Sequence, residues 1–176
     1  MTVRTNARIA GLSFLVYIAA GIVSLAMARN LQATAVLGIV TSFAALTLGV
    51  TLYAITRSVD RDLAVLALLC RVIEAVPGPG EIYFAVGSAI FSWLLLRGRM
   101  IPAPLARLGA VASAAVALII LLQSVGLLGG PRSWSSPITW AVWLPLLVFE
   151  IAAGLWLVVK GVDAAQATQG GAGDLS

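Results

Sequence analysis

The sequence predicts an all-α membrane protein: a polytopic bundle of about six transmembrane helices with both termini in the cytoplasm. Composition is the first indication, because 61% of the 176 residues are hydrophobic and only 10% are charged, with a mean hydropathy of +1.05. A soluble domain of this length needs far more polar surface, so lipid is the solvent that suits this one. The second indication is a series of apolar runs near the roughly 20 residues that a helix needs to cross a hydrocarbon layer of about 30 Å.

Six apolar runs qualify as spans, and breaks rich in charged residues, Pro or Gly separate them. The predicted spans are 9–28, 33–56, 62–77, 81–97, 104–128 and 138–160. The third and fourth are the shortest, and because only VPGPGE separates them they could instead form one re-entrant hairpin. The first run follows Arg4 and Arg8 in the manner of a signal peptide, but it is too long for a typical signal sequence and is kept as a span.

The distribution of positive charges predicts which side of the membrane each loop faces. An even number of spans places both termini on one side, together with eight positive residues: Arg4, Arg8, Arg57, Arg61, Arg97, Arg99, Arg107 and Lys160. The loops of the opposite side carry Arg29 and Arg132. The positive-inside rule therefore predicts cytoplasmic termini, in a multi-pass protein of the cell (inner or plasma) membrane.

The chain divides into one transmembrane domain, residues 1–161, and a C-terminal tail, residues 162–176. The tail is rich in Gly, Ala and Gln, which predicts disorder. Trp134, Trp140 and Trp143 gather at the outer end of the last span, where an aromatic belt is expected.

Missing residue types exclude several kinds of chemistry. The chain has no His, which removes His-ligated haem, zinc-protease motifs and Ser-His catalysis. Its one Cys, Cys70, lies in an apolar run and is expected to be a packing residue. The Arg residues are dispersed between spans rather than clustered, so nucleic acid is not an expected partner. We expect neither a metal ion nor another cofactor.

Three acidic or basic residues lie deep inside predicted spans, away from the span ends. Arg71 lies about ten residues into the third span, roughly 15 Å deep, and Glu74 follows at i+3 on the same helical face. Glu150 lies near the midpoint of the last span. A charge at the bilayer centre costs about 2.5–3.5 kcal/mol, so these groups need each other or water. The simplest expectation is that Arg71 bridges the two carboxylates.

Two acids against one base leave one carboxyl without a charge partner. We expect that carboxyl to be neutral, and a neutral carboxylic acid in an apolar pocket can donate a proton. Glu81 begins the fourth span, where it could cap the helix or line the mouth of the site. The structural alternative is a buried ion network that only fixes the helix register.

Four motifs occur in an order that points to a known family. The run RSVDRDLAVLALLCRVIEA contains a polar-Val-Asp-Arg turn, completed by residues 59–61, and then Arg71 and Glu74. The other motifs are Arg-x-x-Gly at 8–11, Ile-Pro-x-x-Leu at 101–105 and the closing helix EIAAGLWLVVKGV from Glu150. Together they resemble the family catalogued as domain of unknown function 4386, small prokaryotic multi-span membrane proteins. The resemblance implies a helical bundle in a bacterial membrane but no reaction, and family members usually have longer connections after the first and third helices.

We expect a membrane enzyme that acts on a lipophilic small molecule, such as a terpenoid or polyketide, by acid–base catalysis. Cyclisation, isomerisation and epoxide opening all fit, because a protonated carboxyl in a dry pocket with aromatic walls can start them. Glu74 or Glu150 would be the acid, the other the base, and Arg71 would orient them. The expected substrate-binding residues are Tyr17, Glu81, Tyr83, Trp93 and Trp143.

Two other classes of protein stay open. A small proton-coupled transporter would use Glu150 as its proton site; the short chain and the lack of internal repeats argue against it, although a homo-oligomer could supply a pathway. A non-catalytic membrane subunit or regulator would bind a partner through its helices and use the charge network for stability alone. Membrane lipid is an expected partner in every case.

Overall fold

The fold consists of six α-helices, in a computed structural model that describes residues 2–76, 80–128 and 137–162. The helices are α1 (Val3–Ala26), α2 (Leu31–Thr56), α3 (Arg61–Glu74), α4 (Gly80–Arg97), α5 (Ala103–Ser124) and α6 (Pro137–Val159). No strand occurs in these ranges. The predicted all-α class is therefore confirmed. The predicted C-terminal tail lies almost wholly outside the described residues.

The six helices form a closed ring. Each helix packs against the one before it in the chain, and α6 packs back against α1. Short connections make neighbouring helices antiparallel. A Cβ built on Gly161 would lie 3.8 Å from Cγ of Arg4, so the two ends of the described chain meet at one end of the ring. We call this the terminal end and the opposite one the far end; which of them faces the cytoplasm stays a prediction.

Four of the six helices are long and apolar enough to cross a membrane: α1, α2, α5 and the part of α6 from Thr139. The described part of α3 has 14 residues, which is roughly 21 Å of helix and less than the thickness of the hydrocarbon layer. The predicted span 62–77 is thus too long at its C-terminal end. Pro77 and Pro79 explain the difference, because proline cannot continue a helix and disfavours helical geometry in the residue before it.

Both ends of α3 have partners for their backbone groups. At its start the Asp60 side chain accepts a hydrogen bond from the Leu63 amide at 3.1 Å, and Asp60 also pairs with Arg97 at 3.4 Å. After its last turn the Ser42 hydroxyl of α2 donates to the Ala75 carbonyl at 3.0 Å. These bonds satisfy groups that a helix end otherwise leaves open, which matters most where water is excluded.

The outer surface of the ring is apolar on every helix. Large exposed side chains include Leu31, Phe43 and Val111, which are 82%, 66% and 70% exposed. Hydroxyl groups between them bond within their own helix; the Thr47 hydroxyl, for example, donates to the Phe43 carbonyl at 2.8 Å. Such a surface suits lipid, because these hydroxyls are satisfied within their own helix. Four spanning helices and this surface define an integral membrane protein.

Glycine closes the ring between α1 and α6. A Cβ built on Gly11 would lie 2.5 Å from the Gly154 carbonyl oxygen, and one built on Gly154 would lie 3.2 Å from the Gly11 carbonyl oxygen. The two backbones therefore approach each other more closely than any larger residue allows. Membrane helices pack through such small residues because lipid supplies no hydrophobic force to hold them together.

Replacing Gly11 by Ala should lower the free energy of unfolding by about 1–3 kcal/mol, because the added methyl collides with the α6 backbone. Gly21→Ala is the matched control on the same helix, since a Cβ built there meets nothing within 4 Å. The measurement is unfolding of both variants and the unmodified protein in one detergent. Equal stability of the two variants would show that the α1–α6 approach does not limit the fold.

Candidate functional site

The centre of the site is the guanidinium of Arg71, which is only 1% exposed. Arg71 lies in the last turn of α3, and its Nη1 donates to Glu74 Oε2 at 2.9 Å. Its Nη2 donates to the Ser88 hydroxyl of α4 at 2.7 Å. Its Cζ lies 4.9 Å from the centre of the Phe84 ring, a cation–π distance. The charge is thus held by one carboxylate, one hydroxyl and one aromatic face.

An aromatic stack extends from this ion pair across the bundle. The Tyr17 hydroxyl of α1 donates to Glu74 Oε1 at 2.7 Å. The Tyr17 ring stacks on Phe84, with centroids 5.9 Å apart and planes 4° from parallel. Phe84 in turn stacks on Trp143 of α6 at 5.7 Å and 21°. The stack links α1, α4 and α6 and covers one side of the charged group.

Glu150 is buried beside the ion pair but does not join it. Its side chain is 4% exposed, and it lies within electrostatic range of Arg71 and Glu74. Among the described residues, no hydrogen-bond partner is present for its buried Oε1. The predicted bridge from Arg71 to both carboxylates is therefore wrong. The i+3 spacing on α3 brings Glu74 to one guanidinium nitrogen, and Ser88 takes the other.

A cavity of about 630 Å³ leads from Glu150 toward the far end of the ring. Its wall is formed by α1, α2, α4 and α6, and it is mostly apolar. Along α1 it extends from Tyr17 to Ala28, which is roughly 16 Å of helix. The aromatic side chains in the wall are Tyr17, Phe84, Trp140 and Trp143. The volume is within the roughly 300–1,000 Å³ that is usual for small-molecule sites.

The other residues predicted for the site have different positions. Glu81 lines the cavity near its opening and is exposed, and Trp143 forms part of the wall. Tyr83 is absent from the described lining. Trp93 is 51% exposed on the outside of α4, so its ring faces the surroundings of the bundle. A helix presents only one face inward, and on α4 that face holds Glu81 and the residues three and seven positions later.

Phe84 and Ser88, which both contact the Arg71 guanidinium, are site residues that the sequence analysis missed. They follow Glu81 at i+3 and i+7, and this spacing was the available signal. A Phe and a Ser in an apolar helix are ordinary residues, however. Both residues become part of the site only because Arg71 of α3 packs beside them.

Glu74 borders a second cavity, on the side of the ion pair where α2 meets the end of α3. This cavity has about 640 Å³ and is lined mainly by apolar residues of α2, among them Ile39 and Phe43. It shares Gly38 with the first cavity. In the described part of the chain, no group of three or more His, Cys, Asp or Glu side chains could hold a metal ion.

The fold and the site define an integral membrane protein with a buried ion pair beneath an apolar cavity. Residues 78–161, a little under half of the chain, match the model of the family described as Domain of unknown function (DUF4386). The resemblance predicted from the sequence is thereby confirmed over this stretch, which includes Glu81, Phe84, Ser88 and Glu150. Comparisons with curated proteins and with solved structures found no match.

Ser88→Ala should lower the free energy of unfolding by about 1.5–3 kcal/mol, because it removes a buried hydrogen bond to a charged group. Ser92→Ala is the matched control, since Ser92 is 1% exposed on the same helix and Arg71 does not bond to it. Unfolding in detergent measures both. If the two variants are equally stable, the Ser88 bond does not support Arg71.

Proposed function

We propose that the protein is a membrane enzyme that rearranges a lipophilic small molecule by acid–base catalysis, with Glu150 as the acid. One observation carries the proposal: a buried carboxyl without a hydrogen-bond partner for Oε1 lines a mostly apolar cavity of small-molecule size. Cyclisation or isomerisation of a terpenoid-like or polyketide-like molecule fits best. The aromatic wall supports the proposal, because π faces stabilise positive charge that develops on a hydrocarbon.

The proton on Glu150 follows from its surroundings. Burying a carboxylate without a hydrogen bond or a salt bridge costs far more free energy than burying the neutral acid, so the neutral form is favoured. Arg71 is engaged by Glu74 and Ser88, so Glu150 has no cation of its own. Neutral Glu150 can then donate its proton to a bound alkene, carbonyl or epoxide oxygen.

The matching base is Glu74, whose carboxylate forms a salt bridge with Arg71. Tyr17 lines the cavity and donates to Glu74, so its phenol connects the bound molecule with the base. In the proposed cycle the O–H bond of Glu150 breaks and a new bond to the substrate forms. A second substrate proton passes to the Tyr17–Glu74 pair, and return of that proton to Glu150 closes the balance without an oxidant or co-reactant.

The proposal predicts uptake of solvent deuterium into a carbon–hydrogen position of the product. Protein in nanodiscs in D₂O is incubated with material extracted from the purified protein, and with monoterpene, sesquiterpene and diterpene alcohols and their epoxides. Mass spectrometry of the products is the readout. Glu150→Gln should lower the rate by about 100-fold or more, because the amide has the same shape and no acidic proton.

Asp62→Asn is the control for charge removal, because Asp62 is exposed in the first turn of α3, away from the cavity. It should leave the rate unchanged. Glu74→Gln should also stop turnover, since it removes the base. If the Gln variants of Glu74 and Glu150 both keep full turnover, the acid–base proposal is wrong. Flux of an unchanged molecule across proteoliposomes would indicate a proton-coupled carrier instead.

A further inference from the structure

Two carboxyl side chains line the cavity. Glu150 lies at its inner end, and Glu81 lies near its opening. No Lys or Arg is present among the described residues of the lining. An entering ligand therefore meets a carboxyl group at each end of a mostly apolar passage.

The buried positive charge of Arg71 is shielded from the cavity. Arg71 does not line the cavity, and its guanidinium is neutralised by Glu74 at 2.9 Å. The Phe84 ring lies over its Cζ at 4.9 Å and also belongs to the cavity wall. A ligand in the cavity therefore meets the Arg71–Glu74 pair, whose net charge is zero, rather than an isolated positive charge.

Aromatic faces add to the attraction for positive charge. Tyr17, Phe84 and Trp143 form one continuous stack along the wall, and the negative face of such rings attracts cations. The carboxyl groups, the neutralised Arg71 and the aromatic wall therefore all favour a positively charged ligand.

We propose that the cavity binds lipophilic monocations in preference to neutral or anionic molecules of the same shape. The inference rests on the proposed function, since it takes the same site, and it assigns the positive charge to the species formed when Glu150 protonates the bound molecule; a preformed cation mimics that species. When a preformed cation binds, the O–H bond of Glu150 breaks and its proton leaves to water through the opening. The carboxylate stays with the cation, so the net charge of the cavity is unchanged.

Binding should consequently depend on pH through proton competition at Glu150. The groups that face this part of the bundle are Tyr17 from α1, Arg71 and Glu74 from α3, and Glu81 from α4. On α5 the charged residue is Arg107, near the terminal end. Raising the pH removes the competing proton, so affinity for a cation should rise by up to about tenfold per pH unit until Glu150 is ionised. Affinity for a neutral molecule should not follow this slope.

Equilibrium dialysis of the detergent-solubilised protein tests the preference with three probes of similar shape. They are tetraphenylphosphonium, tetraphenylborate and triphenylphosphine oxide, each corrected for binding to detergent alone. Tetraphenylphosphonium should bind about tenfold or more tightly than the neutral probe, and the anion more weakly still. A weakly buffered solution with a pH indicator should show one proton released for each cation bound.

Glu150→Gln should remove both the preference and the proton release, while Asp62→Asn should keep both. Glu81→Gln should lower cation affinity by a smaller factor, because Glu81 is exposed and its charge is screened. The proton-release measurement uses the unmodified protein, so it stands even if a Glu150 variant does not fold. Equal binding of the cationic and neutral probes, or cation binding without proton release, would overturn the inference.

The same preparations separate this inference from the proposed function. Cation binding with proton release but no deuterium uptake would support the binding site and contradict catalysis. Deuterium uptake without preference for the cation would support catalysis and contradict the ligand class. Failure of both would leave Glu150 as a structural residue, which contradicts both proposals.

Discussion

Burial of the Arg71 guanidinium is the constraint on which the rest of the interior depends. A charge removed from water is tolerated only with a counter-charge and hydrogen bonds, so α3 and α4 contribute partners at fixed positions. Glu74 supplies the counter-charge, Ser88 the hydrogen bond and Phe84 the aromatic face. Even the stem of the side chain needs space, because a Cβ built on Gly49 of α2 would lie 2.8 Å from the Arg71 Cβ.

Because these partners occupy Arg71, the two acids of the site, Glu74 and Glu150, have different surroundings. Glu74 is next to the cation along its own helix and also accepts from Tyr17, so the ionised form is supported by two groups. Glu150 receives neither bond, although it is equally far from water. A pair of carboxyls in such different surroundings is the arrangement from which acid and base roles arise. The asymmetry follows from the bonds of one guanidinium: Nη1 and Nη2 donate to Glu74 and Ser88, and the buried Nε has no hydrogen-bond partner among the described residues.

Local spacing accounts for what the sequence predicted well. Four long apolar runs correspond to α1, α2, α5 and α6, because length and hydropathy alone decide whether a helix suits a bilayer. The Arg71–Glu74 pair was predictable from i+3 geometry. Contacts between different helices were not predictable. The rotation of α4 about its axis decides that Ser88 faces Arg71 while Trp93 faces outward. The absence of a bond to Glu150 has the same origin, because apolar helices of this kind carry little pattern to fix their rotation.

The C-terminal end of α3 carries the buried ion pair and lies next to the cavity. α3 ends at Glu74, and the cavity begins at Tyr17, the residue bonded to that carboxylate. No described residue of α3 lines the cavity, whose wall comes from α1, α2, α4 and α6. The residues that follow α3, Ala75 and Val76, border the second cavity together with Glu74. The charged pair in the last turn of α3 therefore lies between the two cavities, because Tyr17 connects Glu74 with the first and Glu74 itself borders the second.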